Sequence, residues 1–475
     1  MKTIMISALT SGSGKTTITA ALLMLLKRRG YDVTGIKCGP DYIDPLFHKL
    51  ITKDDEPGGQ NIDFFLQGKT KALKIFEGID HDMAVAEGAM GFYDGIRGTS
   101  GNSAYDIAVS LGIPVILIVK PGGSSLTLAA MIRGILDFRS PMPVKGIILN
   151  DCKPSLYEHL RPVIERECGI KVLGYVPHIE GAVIESRHLG LRLTDEPKDI
   201  MNRLSLVSDA IEEHVDMDLL MEIFSDVCDC VSEGRKKSAE KNGKNDGPEN
   251  SVRIAVAYDR AFCFYYRSSL NALKKAGAEL VYFSPLTDHK LPDNIQGLYI
   301  GGGYPELYLK ELSENKEMLS DVKKRVEEGL PSVFECGGFI YLHEQVFDLR
   351  GESEYGMVGF VKGKASCSGS LKNFGYKNIR LNSSDDNMLF RPDEQIPAHE
   401  FHYYESDANG DDLIALRPKI SEAVCLSDRK EEEKGSLFGY STGSLYAGFP
   451  HLEFSGEIPL AERFTERARE YGKKR

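Results

Sequence analysis

A glycine-rich segment near the start of the sequence combines residue types that bind phosphate. Residues 10–17 read TSGSGKTT, and they stand between an apolar run, Ile4 to Ala8, and a leucine-rich stretch with helical spacing, Thr16 to Arg29. Such a loop points backbone N–H groups at one spot, while a lysine and a hydroxyl add a positive charge and a ligand for Mg²⁺. Leu9 replaces the first glycine of the strict P-loop pattern, but the order of strand, loop and helix predicts an ATP phosphate site. Its residues would be Gly12, Ser13, Gly14, Lys15, Thr16 and Thr17.

Carboxylates follow the next two apolar runs. Asp41 and Asp44 come just after the second run, Glu87 ends the third, and Asp94 lies in the loop that follows. Mg²⁺ on a nucleotide prefers oxygen ligands, and parallel strands bring their carboxyl ends to one edge of a sheet. Aspartates in such loops are as often turn formers as metal ligands. Glu87 is the least easily explained as structural, because a strand end facing a phosphate loop is a poor place for an idle charge.

A cysteine in the second half of the chain occupies a strand-to-helix turn. The apolar run Ser332 to Phe334 leads into Glu335-Cys336-Gly337-Gly338, and a stretch of helical character follows. A nucleophile on such a turn is exposed, the helix N-terminus would lower the pKa of its thiol, and the N–H of Gly337 could bind an oxyanion. Gly302 and Gly303 follow another predicted strand and could add a second donor, although a plain turn would explain them as well.

A thiol nucleophile needs a base, and the C-terminal region offers one. His451 and Glu453 are two residues apart, so in a strand both side chains would point to the same face. The carboxylate of Glu453 would then hold the imidazole while His451 takes the proton from Cys336. The pattern predicts a catalytic group of Cys336, His451 and Glu453.

Composition limits the classes of partner. The 475 residues carry 58 Lys+Arg against 70 Asp+Glu, a formal charge of −12, which argues against a nucleic-acid or anionic membrane surface. No apolar run approaches the ~20 residues that span a bilayer, and Met1-Lys2-Thr3 leads directly into a predicted strand. We expect a cytoplasmic protein that acts on small molecules, with most of its nine cysteines reduced.

Alternating apolar runs and helical patterns predict an α/β fold in each of two domains. A polar stretch at 230–251 separates a domain at 1–229 from one at 252–475. Predicted strands in the first domain are Ile4 to Ala8, Val33 to Lys37, Met83 to Ala86, Val115 to Val119 and Gly146 to Leu149. The second has strands Ile254 to Ala257, Glu279 to Phe283, Leu298 to Ile300 and Ser332 to Phe334, with helices Ser269 to Ala276 and Glu317 to Glu328.

These segments together resemble the cobyrinic acid a,c-diamide synthase family, whose members amidate two peripheral carboxylates of a corrin precursor with ATP and glutamine. The resemblance rests on the loop at 10–17 and on several further blocks: GPDYIDP at 39–45, EGAMGFYDG at 87–95, RHLGL at 187–191, AFCFYY at 261–266, GGGYPEL at 301–307, ECGG at 335–338 and HEFHY at 399–403. It covers the whole chain.

The resemblance implies a P-loop-type, mostly parallel sheet followed by a flavodoxin-like, triad-type glutamine amidotransferase domain. A homodimer is one assembly that we consider. Mg²⁺ would be the cofactor, and ATP, glutamine and a corrinoid tetrapyrrole the substrates, with no nucleic-acid or membrane partner. Metal ligands would be Thr16, Asp41 and Glu87, and residues for substrate activation would be Asp41, Asp44 and Asp94. Cys336 and His451 would form the glutaminase pair, with oxyanion donors at Gly302, Gly303 and Gly337.

Several readings stay open on the sequence alone. The substrate could instead be hydrogenobyrinic acid or a nickel sirohydrochlorin, or later corrin carboxylates as in cobyric acid synthase. The first domain also resembles the nucleotide switch of partitioning ATPases, with the second as a degenerate binding module. Arg187 and His188 either bind substrate carboxylates or form a structural turn.

Overall fold

The computed structural model describes residues 1–180, 197–226, 251–382, 387–418 and 435–474. The chain forms two compact units. The first comprises Met1–Phe64 and Ala72–Lys244, and the second comprises Phe65–Lys71 and Asn245–Arg475. A short piece of the N-terminal half of the sequence therefore belongs to the second unit. Among the described residues, no helix is both long and apolar enough to cross a bilayer.

A parallel sheet forms the centre of the first unit, in the strand order β3-β2-β4-β1-β5-β6-β7, with β8 antiparallel to β1. Its strands are β1 (Lys2–Ala8), β2 (Val33–Cys38), β3 (Asn61–Ile62), β4 (Met83–Gly88), β5 (Val115–Val119), β6 (Val144–Asn150), β7 (Val172–Val176) and β8 (Ser225–Asp226). The helices are α1 (Lys15–Arg28), α2 (Ile43–Thr52), α3 (Lys69–Glu77), α4 (Ala104–Leu111), α5 (Leu126–Asp137), α6 (Pro154–Cys168), α7 (Pro197–His214) and α8 (Met217–Ile223).

Both faces of this sheet are covered, which explains why its strands read as continuous apolar runs. Ile4 and Ile6 of β1 pack into one hydrophobic cluster with α1 and α7, while Met5 points into the other cluster with α4. The parallel strands all end at one edge of the sheet. The loops that carry the phosphate and carboxylate motifs leave from that edge.

The second unit contains a mixed sheet in the order β11-β9-β12-β14-β24-β23, parallel except for β23. Antiparallel pairs and sheets surround it: β10 with β13; β16-β15-β17-β20, within which β15 and β17 are parallel; and β22-β21-β18-β19-β25. The strands are β9 (Val252–Ala257), β10 (Phe262–Phe264), β11 (Ala278–Phe283), β12 (Gly297–Ile300), β13 (Gly302–Gly303), β14 (Ser332–Glu335), β15 (His343–Phe347), β16 (Glu354–Gly356), β17 (Val361–Cys367), β18 (Asn373–Leu381), β19 (Ile396–His402), β20 (Tyr404–Ser406), β21 (Leu413–Leu416), β22 (Ser436–Phe438), β23 (Tyr440–Ser441), β24 (Leu445–Gly448) and β25 (His451–Leu452). The helices are α9 (Arg267–Lys275), α10 (Leu309–Glu314), α11 (Lys316–Glu327), α12 (Gly337–Leu342) and α13 (Leu460–Lys473).

The predicted α/β class and the predicted strands and helices are confirmed in both units. The antiparallel strands between His343 and Phe438 had no counterpart in the prediction. The domain bounds 1–229, 230–251 and 252–475 stay predictions, because most of the linker lies outside the described residues. They place residues 65–71 in the first domain, whereas these residues are part of the second compact unit.

Candidate active site

The phosphate loop depends on a close approach between Gly14 and Asn150. Gly14 precedes α1 with a φ of 91°, a conformation that favours glycine. Asn150, at the end of β6, donates from Nδ2 to the carbonyl of Ser13 at 2.8 Å. A Cβ on Gly14 would lie 2.2 Å from that nitrogen, so this hydrogen bond requires a glycine at position 14. The end of β6 therefore fixes the loop just before the N-terminus of α1.

A cavity of about 330 Å³ lies at this edge of the first unit. Its lining includes Gly12, Gly14, Lys15, Thr16 and Thr17 of the loop, together with Lys37 and Glu87 from neighbouring strands. Lys15 donates from Nζ to the carbonyl of Thr10 at 3.4 Å, so its side chain folds back over the loop. Backbone N–H groups, a lysine and a hydroxyl thus surround one cavity, as phosphate binding requires.

Lys37, which the sequence analysis did not single out, lies at the centre of the carboxylates. Its ammonium contacts Asp44, lies 3.0 Å from Glu87 Oε1 and 3.8 Å from Asp41 Oδ2. The side chain is 1% exposed, and β2 and β4 place Lys37 directly beside Glu87 in register. A lysine inside a buried parallel strand is costly unless it is paired, and this rule could have revealed the residue.

Thr16 joins this group through Glu87. The hydroxyl of Thr16 donates to Glu87 Oε1 at 2.6 Å, and His48 Nε2 forms a hydrogen bond with Glu87 Oε2 at 3.1 Å. Two candidate Mg²⁺ ligands, Thr16 and Glu87, are therefore in contact. Asp41 accepts the N–H groups of Ile43 and Asp44 with Oδ1, so it caps α2 while its Oδ2 faces Lys37.

In Glu87 and Lys37, neighbouring charges shift the pKa in the direction opposite to the effect of burial. Burial alone would raise the pKa of Glu87, but Lys37 and His48 outweigh it and hold that pKa far below its usual range. Burial also acts to lower the pKa of Lys37, and the carboxylates of Asp44, Glu87 and Asp41 more than reverse this effect. The pKa of Asp44 is raised by burial and by the charges of Asp41 and Glu87. Three carboxylates share one lysine here, which leaves surplus negative charge.

That surplus fits a divalent cation. The oxygens of Thr16 and Glu87 are of the type that Mg²⁺ prefers, and Mg²⁺ usually takes one or two carboxylates together with phosphate oxygens and water. The described part of the chain has no group of three or more His, Cys, Asp or Glu side chains arranged as a complete metal site. Thr16 and Glu87 suit a metal whose other ligands are phosphate oxygens and water.

Asp94 serves its own loop. Asp94 accepts the N–H of Gly91 with Oδ2 at 3.0 Å, so its carboxylate closes its own loop, as the turn alternative predicted. Arg187 and His188 lie outside the described residues. At the other end of the cavity, Asp151 contacts Lys120 at 2.6 Å and His178 at 2.9 Å, a group that the sequence analysis did not consider.

In the second unit, Cys336 occupies a strained turn between β14 and α12. Its φ of 48° and ψ of −100° are unusual for a residue with a side chain. Its N–H donates to the carbonyl of Gly448 at 2.8 Å, and Gly338 donates to Gly301 at 3.0 Å. A Cβ on Gly337 would lie 2.9 Å from Pro305 Cδ and 3.2 Å from the nitrogen of Gly303. The turn is thus packed against the loop that carries Gly303, and glycine is needed at 337.

The expected lowering of the thiol pKa by the helix N-terminus is wrong. Burial raises the pKa of Cys336 well above its ordinary value, and the charges of Glu306 and Glu400 raise it further. Helix α12 has only six residues, and the N–H of Gly337 offsets little of this effect. Burial also raises the pKa of Glu306, to about 7. The free thiol is consequently protonated at neutral pH, and its reaction depends on a base.

His451 lies next to Glu335, the residue that precedes the cysteine. His451 Nδ1 is 3.6 Å from Glu335 Oε2, and both side chains are almost fully buried. Glu335 is itself held in place, because Oε1 accepts the N–H of Leu452 at 3.0 Å and Oε2 accepts the hydroxyl of Tyr299 at 2.9 Å. A Cβ on Gly302 would lie 2.5 Å from Cε1 of the imidazole, so glycine there leaves room for the ring.

Glu453 does not occupy the position that the sequence argument gave it. Strand β25 ends at Leu452, so the alternation that would put His451 and Glu453 on one face does not extend to Glu453. Its Oε1 accepts hydrogen bonds from the hydroxyls of Ser269 at 2.8 Å, Ser268 at 3.1 Å and Ser455 at 2.6 Å. The carboxylate beside the imidazole is that of Glu335.

Comparison with known proteins identifies both units. Residues 4–189 match the CobQ/CobB/MinD/ParA nucleotide binding domain, and residues 253–457 match the CobB/CobQ-like glutamine amidotransferase domain. Cobyrinate a,c-diamide synthase of Clostridium tetani is 37% identical over 469 residues, which cover 98% of this chain and 100% of that protein. The synthase of Clostridium acetobutylicum is 37% identical over 467 residues, with the same coverage. That of Picrophilus torridus is 35% identical over 98% of both chains.

The chain belongs to the cobyrinate a,c-diamide synthase family. It is a glutamine-dependent, amide-forming ligase with a nucleotide-binding P-loop domain, and it acts in cobalamin biosynthesis. The Lys37 cluster and the Cys336 turn lie in the two matched domains, one in each.

Proposed function

We propose that this protein amidates the a and c side-chain carboxylates of cobyrinic acid, with ATP to activate each carboxylate and glutamine to supply ammonia. One observation carries the proposal: a single chain combines a phosphate loop beside buried carboxylates with a strained cysteine turn beside a Glu–His pair. The full-length similarity to synthases named for that reaction supports the choice of substrate.

Activation of the carboxylate is the task of the first unit. A carboxylate resists ammonia because it is negatively charged and would have to expel an oxide. Transfer of the γ-phosphoryl group of ATP to a carboxylate oxygen gives an acyl phosphate and ADP, which removes both obstacles. Lys15 and the N–H groups of residues 12–17 would hold the phosphates and stabilise the charge that develops during transfer.

The surplus negative charge around Lys37 would bind the cation that this step needs. Thr16 and Glu87, with Asp41 close to Lys37, would hold Mg²⁺, which supplies charge neutralisation at the phosphates. Asp44 has a raised pKa and touches Lys37, so it would orient the ammonium and hold a proton near the reacting carboxylate. We assign Asp94 to the structure of its loop.

Release of ammonia is the task of the second unit. The thiol of Cys336 attacks the side-chain amide carbon of glutamine, and His451 takes the thiol proton and passes it to the departing ammonia. Water then attacks the thioester, which releases glutamate and restores the thiol. The N–H groups of Gly337 and Gly303 would bind the oxyanion, because the two glycines approach closely at the turn. Gly302 would contribute by leaving space for the imidazole.

The role of the third catalytic residue passes from Glu453 to Glu335 in this proposal. Glu335 lies beside Nδ1 of His451 and would fix the tautomer that leaves Nε2 as the base. Its own two hydrogen bonds keep the carboxylate in position.

The test is a product analysis with alternative tetrapyrroles. The protein would be incubated with ATP, Mg²⁺ and glutamine, together with cobyrinic acid, hydrogenobyrinic acid or nickel sirohydrochlorin, and the products would be weighed. We expect cobyrinic acid to show the mass change of one and then two carboxylate-to-amide conversions, each with one ADP. Conversion of another tetrapyrrole in preference, or ADP release without any amide, would contradict the proposal.

The setting of the reaction is part of the same proposal. ATP, glutamine and a corrinoid are the partners that this chemistry needs, and the excess of acidic over basic residues supports small-molecule rather than nucleic-acid ligands. We place the enzyme in the cytoplasm, where ATP and glutamine are available, and as a homodimer. Sedimentation at several protein concentrations would test the dimer.

A further inference from the structure

A short segment from the N-terminal half of the sequence is built into the glutaminase unit. Residues Phe65–Lys71 belong to the second compact unit, whereas Phe64 and Ala72 on either side belong to the first. Leu66 is 3% exposed and Gln67 is 0% exposed. An amide side chain without contact to water must be held by hydrogen bonds, so its partners in the fold define what the segment does.

Two successive hydrogen bonds connect Gln67 with Glu453, close in sequence to the proposed catalytic histidine, His451. Its Nε2 donates to the hydroxyl of Ser268 at 3.3 Å, and Ser268 donates to Glu453 Oε1 at 3.1 Å. Glu453 is two residues from His451 and is anchored by Ser269 and Ser455 as well. This network gives the buried carboxylate of Glu453 a purpose that differs from orienting the imidazole: it fixes the chain just after β25.

Two glycines let the segment approach this region closely. A Cβ on Gly456 would lie 2.8 Å from the carbonyl oxygen of Leu66, and a Cβ on Gly68 would lie 2.5 Å from Cγ of Glu457. Gly68 also has a φ of 76°, which favours glycine. The segment therefore packs closely against residues 456 and 457, in addition to the hydrogen bond of Gln67.

A second line of contacts connects the segment with the strand that pairs with His451. The ring of Phe65 lies 4.7 Å from that of Tyr376, and Tyr376 lies 5.7 Å from the ring of His399. His399 and His451 are paired directly across β19 and β25. The segment is thus connected with the neighbourhood of His451 through Ser268 and Glu453 and, separately, through Tyr376 and His399.

The chain before the segment is attached to the carboxylate cluster of the first unit. Asn61, paired with Lys37 across β2 and β3, donates from Nδ2 to the carbonyls of Gly39 at 3.1 Å and Asp41 at 2.7 Å. Six residues later the chain reaches Gln67. The loop around Asp41 and Gln67 are therefore joined by a short stretch of backbone.

We propose that Gln67 is a positioning residue for His451, acting through Ser268 and Glu453, and that residues 65–71 link the glutaminase to the state of the Asp41 loop along the chain. The inference rests on the proposed function, because it assigns His451 as the glutaminase base. It explains why Glu453 is buried among hydroxyl groups. It also gives the first half of the sequence a direct part in the second reaction.

The test compares Gln67→Ala with Thr70→Ala, an exposed position in the same segment. For Gln67→Ala we expect the glutaminase kcat to fall roughly 3- to 10-fold, no more than for Glu453→Gln, with little change in KM for glutamine, because a misplaced base slows the chemistry without removing substrate contacts. Amidation with added ammonia should stay at the wild-type rate. We also expect ATP with the corrinoid to stimulate the glutaminase of the wild-type protein but not that of Gln67→Ala. Thr70→Ala should behave as wild type.

Further variants separate positioning from folding. Ser268→Ala should reproduce the kcat loss, and Ser268→Thr, which keeps the hydroxyl, should restore most of the activity. Wild-type kcat and full stimulation in Gln67→Ala would overturn the inference. A parallel loss of ammonia-dependent amidation would overturn it too, since it would show a general folding role. Failure of the proposed function would look different: the wild-type protein would hydrolyse glutamine without forming any corrinoid amide.

Discussion

The two proposed reaction centres occupy the same place in an α/β unit, the carboxyl end of parallel strands, but differ in how their side chains are charged. Both lie where parallel strands end: the Lys37 cluster beyond β2 and β4, and Cys336 directly after β14. At the first centre, charged groups are buried, paired with one another and left with a negative surplus. At the second, burial and nearby carboxylates keep the nucleophile neutral, and the backbone of the cysteine is strained.

This difference fits the two reactions that we propose. Phosphoryl transfer requires charges that are already in place around the nucleotide, so the first centre is held by ion pairs. Thioester formation requires a thiolate, so a thiol that is neutral at rest must lose its proton to a base before it attacks. The following predictions test this contrast, beginning with the largest expected effect.

Replacing Cys336 should abolish amidation with glutamine and leave amidation with ammonia intact. We expect Cys336→Ala to reduce glutamine-dependent amidation to background, because no thioester can form, while amidation with ammonium chloride continues at the wild-type rate. Product formation with each nitrogen source is the measurement. A matched control is Cys263→Ala, at another buried cysteine of the same unit. If ammonia-dependent amidation also disappeared, the thiol would have a role in the first reaction.

Replacing Lys37 should have the converse effect. Lys37→Met leaves Asp41, Asp44 and Glu87 without the ammonium that neutralises them, so we expect a stability loss of about 3–5 kcal/mol in the first unit. Amidation should be lost with either nitrogen source, while hydrolysis of glutamine remains. Thermal unfolding and the two assays would show this.

The control for Lys37 is Lys145→Met, at an exposed lysine of the same sheet. It should leave stability and both activities unchanged. Wild-type amidation by Lys37→Met would mean that the cluster is not the activation centre.

Two carboxylates compete for the role of orienting His451, and their replacement should rank them. Glu335→Gln should lower the glutaminase kcat by roughly 10²- to 10⁴-fold, because the amide no longer favours the required tautomer. Glu453→Gln should cost roughly 10-fold, since its serine partners still hold much of the loop. Steady-state glutaminase kinetics would compare them. A larger loss for Glu453→Gln would return that residue to the catalytic group.

The raised pKa of Cys336 predicts how the rate of its alkylation depends on pH, a smaller effect than those of the replacements above. Because burial and the carboxylates of Glu306 and Glu400 raise the pKa of Cys336, only a small fraction is thiolate at neutral pH. Alkylation of the free enzyme by iodoacetamide should therefore keep rising by about tenfold per pH unit above the ordinary cysteine pKa, without a plateau near pH 8.5. Inactivation rates measured from pH 6 to 10 provide the check. A plateau near or below neutral pH would indicate a preformed ion pair with His451.

Much of the fold and part of each site follow from the sequence alone. The loop at 10–17, the carboxylates after the second and third strands and the turn at Cys336 are local patterns, in which a strand, a glycine and a reactive residue stand in a required order. Such order survives in any folded context, so the predicted strands and the candidate residues lie at the expected sheet edges.

Tertiary structure alone decided which charges and which segments come together. Lys37 meets Glu87 because β2 and β4 are neighbours, and Glu335 rather than Glu453 reaches His451 because β25 ends after two residues. Gln67 joins the glutaminase although nearly two hundred residues separate it from that half of the sequence. Spacing along a chain fixes only local geometry, whereas a buried charge or amide takes whichever partner the packing of distant strands brings within hydrogen-bond distance.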